Sequence, residues 1–328
     1  MKTKMKEEIL EAAFADKEAL QQIRAETSGT VQPRYAPLTS PLFDIDRVWR
    51  LMEGAIDVHV HSGPDAYNTR VYDDMEMAIQ ACTAGMKALV FKCQSIPNSR
   101  SVYFVQKDID RWAAERSKKR LDVFGGVVLN YSVGGLNPEA VNVSYKVGGK
   151  FVWLPNLDAS FHHKVMGIPG GIEVLDENDR VVPPLKEILA LIVEGDMVLS
   201  LCHQSTKERF SIIDEAKKMG VKRIEVCHPN QITAKMTLEQ MKIAAERGAF
   251  ISFSCTGFRS LQWSWDEFMQ ATRVVGYDRL ITSTDCGNVE FPSPLEAMRL
   301  LITGMLKRGM ADKDVARIVK DNPSALLC

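Results

Sequence analysis

From residue 55 onward, apolar runs of strand length alternate with polar stretches of helix length. The runs fall at 55–61, 87–93, 121–130, 150–156, 196–204, 223–229, 248–255 and 280–286. Continuous apolar strands separated by helices predict a parallel sheet covered on both faces. Eight such units predict a closed (β/α)8 TIM barrel, and no glycine-rich nucleotide loop follows the first strand. In that first strand Ile56, Val58 and Val60 alternate with Asp57, His59 and His61. A period of two therefore puts both histidines on one face. Helices are expected over 73–84, 206–219 and 237–247, because Gly85, Gly220 and Gly248 stand at the next position as C-terminal caps. Closing helices are expected over 293–308 and 312–320. Residues 157–195 read as a long insertion containing a small hairpin over the barrel mouth.

The front of the chain does not share this repeat. Ile9, Leu10, Ala13, Phe14, Leu20 and Ile23 recur at helical spacing within 5–27. Residues 28–42 form a linker broken by Gly29, Pro33, Pro37 and Pro41, and a short helix over 44–53 leads into the first strand. The expected division is an N-terminal helical extension and linker over 1–54 and a barrel over 55–328. The extension covers one barrel end or packs on a partner subunit, and a homo-oligomer is expected.

Charge and composition narrow the function. The 328 residues carry 41 basic and 42 acidic side chains, a net charge of −1 without long runs of either sign. That balance predicts no nucleic-acid and no membrane partner, and points to a small-molecule substrate. No apolar run approaches the roughly 18 residues that span a bilayer. The seven cysteines form no CxxC pair and sit mostly in apolar runs. They read as small buried hydrophobes in a reducing cytoplasm.

The chemistry concentrates at strand ends, where a barrel of this kind places its active site. Four of the six histidines lie there: His59 and His61 on the first strand, His203 on the fifth and His228 on the sixth. Asp285 ends the eighth. Imidazoles and a carboxylate meeting at one mouth suit a borderline divalent ion such as zinc. Such an ion lowers the pKa of water towards neutrality, and an adjacent carboxylate is a suitable general base. Lys92 is the lysine at a strand tip, with a role as a modified metal bridge or as a cation for a substrate acid. His162 and His163 follow the fourth strand as candidate ligands or acids. Arg70, Trp153 and Arg259 are candidate substrate contacts.

The order His-x-His, His, His, Asp on the first, fifth, sixth and eighth strands resembles the amidohydrolase superfamily. The late run Asp321-Asn322-Pro323-Ser324-Ala325 is similar to a segment that follows the last strand in that family. The resemblance covers about residues 55–328 and suits the compact, single-barrel branch. It implies a metal-dependent hydrolase of an amide, ester, lactone or cyclic amide bond. His59, His61 and His203 would hold zinc, and Asp285 would touch it and take a proton from water. His228 would bind a second ion or polarise the substrate carbonyl. The sequence departs from the two-metal pattern, because the third and fourth strands end without a lysine or acid. One resident ion is therefore expected, with a second tied to modification of Lys92. A decarboxylase using the same ligands and a non-catalytic ligand-binding barrel are the two rival readings.

Overall fold

The computed structural model describes residues 44–229, 231–259 and 264–328. The helix expected over 5–27 and the linker over 28–42 lie outside the described residues. The described chain runs α1 (Ile45–Met52), β1 (Ile56–Val60), α2 (Asp74–Thr83), β2 (Ala88–Phe91), α3 (Ser99–Glu115), β3 (Asp122–Phe124) and β4 (Gly126–Val128). It continues through α4 (Pro138–Lys146), β5 (Phe151–Trp153), α5 (Ser160–Met166), α6 (Pro183–Glu194), β6 (Val198–Leu201), α7 (Thr206–Met219), β7 (Arg223–Cys227) and α8 (Leu238–Glu246). It ends with β8 (Phe250–Ser254), α9 (Cys255–Arg259), α10 (Trp265–Val274), β9 (Leu280–Ser283), α11 (Pro294–Lys307), α12 (Asp312–Ala316) and α13 (Asn322–Leu327).

Every expected strand is present, and all named pairings are parallel. Strands β1-β2-β3 form one hydrogen-bonded set and β4 to β9 the other. Two seams join them into the barrel. At the first, the Asp285 amide donates to His59 O at 2.8 Å and the His61 amide to Cys286 O at 2.9 Å. At the second, the run expected as one strand over 121–130 kinks between β3 and β4. The Asn98 side chain fills the kink, donating to Phe91 O at 2.8 Å and accepting from the Gly126 amide at 2.8 Å. A Cβ at Gly126 would fall 1.9 Å from Phe151 O, so the closest approach of these strands requires glycine.

The apolar residues divide into two layers. Leu89, Val127, Val152, Leu199, Ile224 and Ile251 pack outward against the helices. Ile56, Val58, Val90, Val128, Phe151, Trp153, Val198 and Ile281 fill the barrel interior, with Leu326 and Leu327 of α13 added to them. Val60 breaks the simple alternation expected of β1. It packs in the outer layer, while Ile56 and Val58 belong to the inner one. The register shifts between Asp57 and Val60, as a bulge does, so the two ends of β1 present opposite parities to the interior.

The capping signals were good guides to helix ends. Asp73, Ser205, Thr237 and Ser264 each form a reciprocal capping box with a Glu or Gln three residues later. Gly220 ends α7 at φ +97°. The 157–195 insertion differs from the loop expected. Its hairpin is real, with Leu175 and Val181 bridged antiparallel, but α5 precedes it and α6 follows it. Pro183 and Pro184 open α6 because proline lacks the N–H that the first turn leaves unpaired anyway. The closing helix expected over 312–320 also runs further, through a π-type turn at Arg317–Asp321 into α13. Among the described residues, no helix is long and apolar enough to cross a membrane.

Candidate metal centre

The bulge in β1 decides what His59 and His61 face. Both are buried, and their Nε2 atoms lie 3.1 Å apart. Asp285 Oδ1 is 3.2 Å from each of them. A tetrahedral ion bound at about 2.0–2.1 Å needs donors roughly 3.3 Å apart, so this triangle has the right size for one ion. Among the described residues, His59, His61 and Asp285 are the set of His, Cys, Asp or Glu side chains whose donor atoms gather this closely.

Each member is held from behind. His59 Nδ1 is 3.2 Å from Cys227 Sγ, and His61 Nδ1 donates to Lys92 O at 2.9 Å. Such contacts fix ring orientation and leave Nε2 forward. Asp285 sits at φ +53°, and its second oxygen, Oδ2, accepts from Thr256 Oγ1 at 2.7 Å and Gln231 Nε2 at 3.3 Å. Asp57 turns away from the histidines and locks the seam. It accepts from Thr284 Oγ1 at 2.6 Å, the Thr284 amide at 3.0 Å and the His59 amide at 3.2 Å. Burial nevertheless pushes the Asp57 carboxyl up to about 7. Asp57, Thr256, Gln231 and Cys227 were not singled out from sequence. Asp57 and Cys227 carry only the signal of a polar residue one or two positions from a candidate ligand, which is too common to act on, and Thr256 meets Asp285 across 29 positions with no local signal.

Electrostatics favours neutral donors around one anion. Burial, aided by the Lys92 charge, holds His59 well below its ordinary pKa, and burial likewise lowers His61. Burial would raise Asp285, but the imidazoles around it hold its carboxyl well below the usual carboxylate range. Two neutral imidazoles and a carboxylate are the protonation states a divalent ion requires.

The other predicted residues take distinct places. His228 is buried, with its ring centroid 5.9 Å from that of His59 and 5.0 Å from that of His203. It lies beside the triangle rather than in it, and burial pushes its pKa down to about 3. His203 Nδ1 faces His162 Nδ1 at 2.7 Å, so His162 reaches the site through His203. His163 turns away and donates from Nδ1 to Pro169 O at 3.0 Å. Arg70 is spent on Asp65, donating from Nη2 to Oδ2 at 2.9 Å. Trp153 stacks on Phe151 at 4.9 Å inside the barrel, where Lys92 Nζ lies 5.8 Å from its ring. The side chain of Arg259 lies outside the described residues.

Lys92 is buried, with Nζ 3.6 Å from Cys202 Sγ. Burial opposes its charge, yet Cys202, Cys227, Asp285 and Glu225 outweigh burial and raise its pKa. Glu225 lies in the same interior. One of its oxygens accepts from Ser200 Oγ at 2.6 Å, the other has no partner, and burial pushes its pKa up to about 7. Glu225 therefore costs stability as pH rises from about 4.5, its ordinary value, to about 7, where the folded carboxyl must ionise. Glu225→Gln is expected to match the wild type in Tm at pH 4.5 and to exceed it above pH 7. The shift corresponds to about 3 kcal/mol at most. Thermal unfolding at the two pH values checks this, and an equal Tm difference at both refutes it.

Residues 54–252 match the model of a family of unknown function (DUF6282). The chain belongs to this family. The family carries no assigned reaction, and no curated protein matches the chain. Solved structures share the fold at low identity. An amidohydrolase from Pseudomonas aeruginosa aligns with a TM-score of 0.58 and 14% identity, over 86% of this chain and 97% of its own. A probable 2-pyrone-4,6-dicarboxylic acid hydrolase from Acinetobacter baumannii, solved with citric acid bound, gives 0.55 and 14% over 84% and 99%. An organophosphorus hydrolase from Deinococcus radiodurans gives 0.53 and 14% over 86% and 94%. The barrel expected from the sequence is thus the fold of these hydrolases.

Proposed function

We propose that this member of the family is a one-ion hydrolase of the amidohydrolase type, acting on an amide, ester, lactone or cyclic amide bond. The observation that carries the reading is the donor triangle of His59, His61 and Asp285, with edges of 3.1–3.2 Å. These three residues would hold the ion, and zinc suits their mixture of imidazole and carboxylate donors. When bound, a divalent ion supplies Lewis acidity and water of lowered pKa.

The chain's own residues do the rest. Asp285 presents Oδ1 to the site while Thr256 and Gln231 occupy Oδ2. Oδ1 is therefore the atom that takes a proton from the attacking water and returns it to the leaving group. His228, kept neutral by burial, is assigned to polarise the substrate carbonyl. His162 positions His203 by their short contact. Lys92 carries its charge beside Cys202, and a protonated amine does not form a carbamate, which supports one ion over a lysine-bridged pair.

Elemental analysis after dialysis, combined with a screen of neutral esters, lactones and amides, tests the reading. About one zinc per chain and acid release from one of these classes are expected. Two tightly held ions, or carbon dioxide release from an acid substrate with no hydrolysis, would sink it.

A further inference from the structure

Among the described residues, six of the loops that follow strands present a large apolar side chain to solvent. Tyr67 follows β1, Ile96 follows β2, Tyr131 follows β4, Ile168 follows β5, Ile232 follows β7 and Val289 follows β9. Each is between 47% and 63% exposed. Several of these loops are tied to a neighbour at the C-terminal end of the barrel. The Val289 amide donates to Thr69 O at 3.3 Å, Asn130 Nδ2 donates to Gln94 O at 3.0 Å, and the Tyr131 amide donates to Asp158 Oδ2 at 2.7 Å. Helix α5 packs on residues 232–234. Among the described residues, these six side chains add apolar surface to the rim, while its floor is the polar site of His59, His61 and Asp285. Exposed apolar side chains cost solubility, and a set of them around a site commonly marks a ligand surface.

We propose that this rim selects an uncharged substrate with an apolar body, such as a medium-chain or aryl ester or lactone, whose polar bond reaches the floor. The proposal rests on the hydrolase reading for the identity of that bond. Of the cations near the floor, Arg70 on the β1 loop is paired with Asp65, and Lys92 is buried in the barrel beside Cys202. Exposed Lys164 and Lys235 also stand on these loops, so an anionic substrate is the competing outcome. A dicarboxylate of the kind named for the Acinetobacter baumannii structure would leave its second charge against the apolar rim, at a desolvation cost.

The test uses the full-length, zinc-loaded chain with 4-nitrophenyl acetate, butyrate, octanoate and hydrogen succinate. For chains that bury on the rim, kcat/KM is expected to rise roughly twofold or more per added methylene. The succinate monoester should be the poorest substrate. Replacing Tyr131 and Ile232 together by serine should flatten the series and spare the acetate rate, while Ile232→Leu should keep the slope. A flat series or a preference for succinate overturns the proposal. Binding of acetohydroxamate, octanohydroxamate and succinate monohydroxamate by calorimetry separates the two readings. If no ester is turned over, tighter octanohydroxamate binding still supports the apolar rim, and equal or inverted affinities still overturn it.

Discussion

Asp285→Asn is expected to lower kcat by about 10²- to 10⁴-fold, the usual contribution of a positioned general base. The reason is local. Oδ1 is the one carboxylate oxygen left facing the two imidazoles, since Thr256 and Gln231 hold Oδ2. An asparagine keeps the shape but cannot accept a proton at neutral pH. Its amide also brings donors to a position already served by donors, so some loss of metal affinity accompanies the substitution. The comparison therefore uses steady-state kinetics at matched metal content. Wild-type turnover at equal occupancy would remove Asp285 as the base.

The double substitution of His59→Ala and His61→Ala should abolish metal retention. Asp285 would then be the sole remaining donor of the triangle, and one carboxylate at a barrel mouth does not hold zinc through dialysis. A ligand present at a hundred times its Kd stabilises the folded state by about 2.7 kcal/mol, so zinc should raise the wild-type Tm and leave that of the variant unmoved. Cys227 Sγ and Lys92 O lose their ring partners in the variant, which lowers its metal-free Tm as well. The decisive readout is thus the zinc-dependent change in Tm, together with zinc content by elemental analysis. A zinc response equal in both proteins would place the ion elsewhere.

The eight apolar runs were legible because strands buried on both faces carry few polar positions to dilute their pattern. The helices with Ser, Thr or Asp caps were legible for a similar reason, since an unpaired backbone N–H has few side-chain solutions. Helix α6 was hidden because Pro183-Pro184 signals a break inside an element and an opening at its start. Alternation in β1 brought the two histidines to one face, yet the bulge sends Val60 to the outer layer and leaves Asp57 turned to the β9 seam.

By itself the sequence determined the barrel, its parallel strands and the set of histidines and acid at the strand ends, because hydrophobic period and caps are properties of neighbours along the chain. Tertiary structure alone decided which of those side chains meet. It gathered His59, His61 and Asp285 within 3.2 Å and left His203 and His228 alongside. It also tied Arg70 to Asp65 and put Lys92 beside Cys202. These choices depend on strand register, a bulge and the rotation of single side chains, and the pairing of Asp285 with His59 and His61 joins residues more than two hundred positions apart, which leaves no local pattern to read.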